Sequence, residues 1–157
     1  MAEGSRTNPC LFSPISGTIT LNGKPAAGAK LTRTAGKAHT QGELVDTAIA
    51  DEQGQFEMPG VFERVLLAKF LPMEFVASQE IVVEYEGHSY KVWGGVKRDR
   101  AVYSESSGRP LVVTCELNSG VKRAAVGGGF VNSVCTWDFE PDPELDFSRI
   151  PAPGTRR

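Results

Sequence analysis

A chain of 157 residues suits one domain of ordinary size. Its 17 basic and 19 acidic side chains leave a formal charge of −2, which argues against a nucleic-acid binder with its basic stripe. A hydrophobic fraction of 40% excludes wholesale disorder, and 17 glycines with 10 prolines favour a turn-rich β protein over a helical bundle.

Residues 1–9 lack the apolar core of a secretory signal, and no apolar run is long enough to span a bilayer as a helix. The longest apolar stretch, Val65 to Met73, is interrupted by Lys69 and Pro72. A cytoplasmic location is therefore expected. Cys10, Cys115 and Cys135 are odd in number and widely spaced, so three free thiols are expected and neither a metal nor a cofactor. A Cys10–Cys115 or Cys115–Cys135 bridge would instead point outside the cytosol.

The first residues, 1–13, read as a loose leader in which Leu11 and Phe12 are able to dock. Strand periodicity begins at Ile15, where Ile15, Gly17, Ile19 and Leu21 alternate with Ser16, Thr18 and Thr20. Asn22-Gly23-Lys24-Pro25 predicts a tight turn, and Ala29, Leu31 and Arg33 mark a second alternating strand. Residues 35–43, which include His39, read as a polar loop. Leu44 to Ala50 forms a third strand, and Asp51-Glu52-Gln53-Gly54-Gln55 turns into Phe56-Glu57-Met58. Val61 to Phe75 stays open between strand and short helix. Glu80 to Trp93 predicts a hairpin turning at Glu86-Gly87-His88, and Leu111 to Leu117 a further strand. About seven short strands with turns every 8–12 residues are the pattern of a β-sandwich. The expected organisation is a leader (1–13), a sandwich (14–120) and a Gly-rich, acidic-aromatic extension (121–157), disordered from Pro151 to Arg157. Phe56, Ile19, Leu31, Ile81, Val83 and Val113 are the expected core.

Gly17-Thr18-Ile19-Thr20, Leu21-Asn22-Gly23-Lys24-Pro25, Gly28-Ala29-Lys30-Leu31 and Ala50-Asp51-Glu52-Gln53-Gly54-Gln55-Phe56 occur in that order. Together they resemble the carboxypeptidase regulatory-like domain family. The resemblance implies an all-β, transthyretin-like or immunoglobulin-like sandwich and says little about function, because such domains are appended to many unrelated proteins. The hydroxyisourate hydrolases of that superfamily end in a tyrosine-arginine-glycine-serine motif that this chain lacks, so no catalytic residue is carried over.

Chemistry-bearing motifs are sparse. Ser104, Ser106 and Ser107 cluster near Glu105 without a nucleophile elbow and read as an exposed loop. Gly127-Gly128-Gly129 lacks the lysine of a phosphate cradle and reads as a link or a strand edge. Asp51 and Glu52 read as turn residues. Two recognition surfaces remain. One is the acidic-aromatic segment Trp137, Asp138, Phe139 and Glu140, whose aromatic rings either anchor a partner or cover an edge of the sandwich. The other is the basic-aromatic loop Lys97-Arg98-Asp99-Arg100, next to Trp93 and Tyr103. The expected function is a non-catalytic protein-binding module, in its sharpest form a bacterial immunity protein whose carboxylates face the basic cleft of a toxin. Neither nucleic acid nor membrane is expected as a partner. The alternative is an accessory domain of a cell-envelope or carbohydrate-processing system, and a cryptic hydrolase ranks below both.

Overall fold

The computed structural model describes residues 8–37, 42–63 and 74–143. Thirteen strands run through these residues: β1 (Cys10–Phe12), β2 (Ile15–Leu21), β3 (Lys24–Pro25), β4 (Lys30–Lys37), β5 (Glu43–Ile49), β6 (Gln55–Met58), β7 (Val61–Phe62), β8 (Ala77–Tyr85), β9 (His88–Lys97), β10 (Leu111–Glu116), β11 (Lys122–Val126), β12 (Gly129–Ser133) and β13 (Cys135–Thr136). One turn of 3-10 helix, Ser104–Ser106, lies between β9 and β10. The all-β expectation holds. The strands outnumber the seven expected, partly because several are only two or three residues long.

Six strands form an antiparallel sheet in the order β11-β12-β9-β8-β4-β5. The second sheet runs β13-β10-β2-β3, with β6 also paired to β2. Within it β2 and β10 are parallel. β1 pairs separately with β7. Inward residues of both sheets share one core in which Phe12, Ile19, Leu31, Val83 and Trp93 are fully buried. All six expected core residues are buried. Burying one face of a strand and wetting the other is what gives β2 and β8 their period of two.

Two glycines show why the sheets close as they do. A Cβ on Gly17 would lie 1.9 Å from the carbonyl oxygen of Val113, so the close approach of β2 and β10 needs a glycine there. Gly54 adopts φ +77° in the turn before β6, and a Cβ would meet the Ile19 carbonyl at 2.5 Å.

Four expectations are corrected. Residues 35–37 belong to β4 and are not loop. Residues 10–12 are a strand with all three side chains buried, because Leu11 and Phe12 dock against the core rather than trail as a leader. Residues 122–136 are not an extension: β11 and β12 continue the six-stranded sheet, and β13 pairs with β10. The fourth concerns the thiols. The register of β10 and β13 sets Cys115 opposite Cys135, and the two form a disulfide across 20 residues of sequence. Cys10 remains a free, buried thiol. The expectations for residues 1–7, His39, the 64–73 stretch and the 151–157 end lie outside the described residues.

Candidate functional site

The acidic-aromatic segment is built into the fold. Trp93 is fully buried on β9, with its ring 5.7 Å from Phe12 and 4.8 Å from Trp137. Trp137 in turn packs 4.9 Å from Phe139, so a ladder of four rings runs from the core to the surface. Trp93 cannot touch a partner from this position, which corrects its assignment as a contact residue. Its ring is instead the centre of the ladder. Trp137 and Phe139 are half-buried and cover the sandwich, the second of the two readings left open for them.

The carboxylates of this segment are already engaged. Arg109 donates to Asp138 at 3.1 Å and to Glu140 at 2.8 Å. The Glu140 N–H donates to the Ser107 hydroxyl at 2.8 Å. The basic-aromatic loop is similarly occupied. Arg98 pairs with Glu74 at 2.9 Å, Arg100 stands over the Phe75 ring at 5.7 Å, and the Tyr103 N–H donates to Ser13 Oγ at 2.7 Å.

Beneath them lies a polar network that the sequence did not reveal. Glu105 is 3% exposed, so the reading of this serine-rich stretch as an exposed loop is corrected. Its carboxylate accepts from Ser13 Oγ at 2.6 Å, the Ser13 N–H at 3.0 Å and Gln79 Nε2 at 2.9 Å. Gln79 Oε1 accepts from the Trp93 indole at 2.9 Å. Lys97, expected on the basic-aromatic loop, is corrected to a buried residue whose ammonium donates to the carbonyls of Asp99 and Ala101. Burial lowers the Lys97 pKa from its ordinary value, with Glu105 opposing that shift. Burial likewise raises the pKa of the Cys10 thiol. Every polar side-chain atom buried among the described residues has a partner. Such satisfaction is the mark of a network that rigidifies a core.

Unengaged surface lies elsewhere, along β5. This strand has β4 on one side and, among the described residues, no strand on the other. Leu44, Val45 and Ile49 are 52%, 61% and 62% exposed. A groove of about 620 Å³ opens beside its end, between Ile49 and the outer face of β2 and β6, with Val112, itself 58% exposed, on its lining. Asp51 and Glu57 also line it, and neither β5 nor the groove contains a lysine or arginine. A second groove, about 520 Å³, lies over β4, β8 and β9, but its Lys91 and Glu80 pair with each other at 3.2 Å. Sequence reasoning took β5 for an ordinary strand. Its signal was the adjacent pair Leu44-Val45, because a strand with one buried face hides only one of two neighbours.

No curated protein and no solved structure matches this chain. A family model does match it over residues 15–120, from the start of β2 to just beyond β10, and the chain belongs to that family, described as a domain of unknown function (DUF6795).

Proposed function

We propose that this chain is a protein-recognition module that engages another protein along β5 and the groove beside it. The observation that carries the reading is the exposure of Leu44, Val45 and Ile49 on a sheet edge. Open edges offer unpaired backbone donors and acceptors, and globular proteins ordinarily blunt them with lysine, proline or a covering segment. Among the described residues β5 has none of these, while its exposed apolar side chains add a surface that gains from being covered. The acidic-aromatic segment is not the binding surface in this reading, since its rings and carboxylates already serve the fold.

Two settings for such a module were expected: a cytosolic toxin blocker and an envelope accessory domain. The Cys115–Cys135 disulfide favours the second, because a reducing cytosol keeps thiols apart. Photo-crosslinking in the native host tests the binding surface. A crosslinking residue at position 45 should form adducts with another protein, and one at position 138 should not. Adducts at position 138 alone, or at neither, would overturn the reading. Alkylation of the freshly lysed host before non-reducing mass spectrometry tests the setting. A free Cys115 thiol in that experiment restores the cytosolic one.

A further inference from the structure

The outer face of the six-stranded sheet carries the groove of about 520 Å³. Register sets Thr34, Glu80, Gly94 and Asn132 side by side across β4, β8, β9 and β12. Gly36, Ser78, Val96 and Phe130 make the next row. The groove opens over Gly94, whose φ is not positive. A Cβ there would meet only the far end of the Lys91 side chain, with Cε at 2.9 Å, so the backbone does not demand a glycine. What the missing side chain does is deepen the face. Lys91 and Glu80 pair with each other, but the side chains of Thr34, Glu43, Ser78 and Asn132 have no hydrogen-bond partner among the described residues. Phe130, covered on one side by Arg123 at 4.0 Å, supplies an apolar wall. Beyond Asn132 the face ends at β11, and that edge is guarded. Lys122 and Arg123 are exposed there, and the Ala125 carbonyl accepts the Asp142 N–H at 2.8 Å, so the following segment lies along it.

We infer that this groove binds a neutral saccharide chain laid along the row from Thr34 to Asn132. Two hydroxyls and an amide that each donate and accept, an ammonium that donates and two carboxylates that accept line one open surface. Sugar hydroxyls also donate and accept, so they satisfy such a mixed lining, while their ring carbons pack on Phe130. Other ligand classes fit worse. An anion would meet Glu43 and Glu80, and an apolar molecule would leave the hydroxyls and the amide buried without partners. A peptide strand finds no open backbone here, because β4, β8, β9 and β12 are each paired on both sides. Three strand spacings of about 4.8 Å separate Thr34 from Asn132, about 14 Å in all, which is room for more than one sugar ring. The site lies on the face of the sheet and protein recognition is proposed for its β5 edge, so neither depends on the other.

The test uses the full chain and five probes. Cellohexaose, maltohexaose and chitohexaose are the neutral chains, hexagalacturonate is an acidic one, and methyl-capped polyethylene glycol offers acceptors without donors. Calorimetry should show at least one neutral chain binding tenfold or more tightly than the last two. Amide NMR signals of Thr34, Gly94 and Asn132 should shift as that chain is added. Asn132→Ala and Thr34→Val should each weaken it about tenfold, the size of one hydrogen bond left unmade. Gly94→Val should abolish binding by filling the floor, and Ile49→Lys on β5 should leave it unchanged. Urea unfolding checks each variant, and Asn132→Ala carries the test alone if Gly94→Val lowers the midpoint. Failure of all three neutral chains overturns the inference. Equal binding of hexagalacturonate or the capped glycol overturns the ligand class. Binding that survives both Asn132→Ala and Thr34→Val, or that is lost in Ile49→Lys, overturns the site. A crosslink at position 45 without saccharide binding leaves the recognition role standing, and saccharide binding without that crosslink leaves only this site.

Discussion

The indole N–H of Trp137 donates to the main-chain carbonyl of Glu105 at 2.8 Å, while the Glu105 side chain receives Ser13 and Gln79 on the inner side. One residue thus fastens the covering segment above it and the buried network below it.

Two variants separate these roles. Trp137→Ala should lower stability by about 2 kcal/mol, less than for a fully buried ring because this one is half-buried. Glu105→Ala should cost about 3 kcal/mol or more, since it strands the buried Ser13 and Gln79 donors. Urea unfolding measures both. A loss below 1 kcal/mol for Glu105→Ala would mean that water replaces the carboxylate at no cost, and the network would then not hold the fold.

Acid should loosen the turns that Glu116 holds. Its carboxylate accepts from the N–H groups of Gly23, Asn22 and Asn118 and from the Thr20 hydroxyl, at 2.8–3.0 Å. These bonds, with Gly23 the largest contributor, bring its pKa down to about 2. The folded pKa lies below the ordinary value of 4.5, so the contribution is complete above pH 4.5 and is lost as pH falls toward 2. Glu116→Gln should therefore be less stable than the parent at pH 6, and the gap should narrow steadily below pH 4.5. A gap that stays constant from pH 6 to pH 2 would remove Glu116 from the account.

What was legible in the sequence follows from where each contact partner lies. β2 and the β8–β9 hairpin were readable because each buries one face and turns at its own Asn22-Gly23 or Glu86-Gly87. β11 and β12 were not, because Lys122-Arg123-Ala124-Ala125 shows no alternation and a run of three glycines looks like a link. The network was illegible for another reason. Glu105 and Ser13 are 92 residues apart, and a carboxylate among serines has the local look of a loop. The disulfide was equally invisible, since spacing alone does not show that β13 folds back on β10.

Reduction should weaken the sandwich without changing its fold. The Cys115–Cys135 bond closes a segment of 20 residues, which on chain-entropy grounds amounts to about 3 kcal/mol. Denaturant unfolding with and without dithiothreitol measures this, and Cys115→Ala/Cys135→Ala should match the reduced parent. Identical midpoints in both conditions would show that the β10–β13 pairing and the surrounding packing hold the fold unaided.

The last prediction concerns the guarded edge. Asp142 does more than donate to Ala125, because its carboxylate accepts the N–H groups of Gly127 at 3.1 Å and Gly128 at 2.8 Å. Those bonds fix the turn between β11 and β12 and hold the covering segment against the sheet. Asp142→Ala removes both, and the segment should then lift from β11. The freed edge is basic at Lys122 and Arg123, and the β5 edge of another molecule is acidic at Glu43. Head-to-tail pairing of β11 with β5 does not close on itself, so the variant should form chains of increasing length. Sedimentation at micromolar to millimolar concentrations should show association of Asp142→Ala and a monomeric parent. Raising the salt should reverse part of it, because the attraction between the edges is screened. Adding Val45→Lys to the variant should abolish it by placing a cation on the acidic edge. If Asp142→Ala stays monomeric across that range, Lys122 and Arg123 suffice to protect β11, and Asp142 serves only the turn.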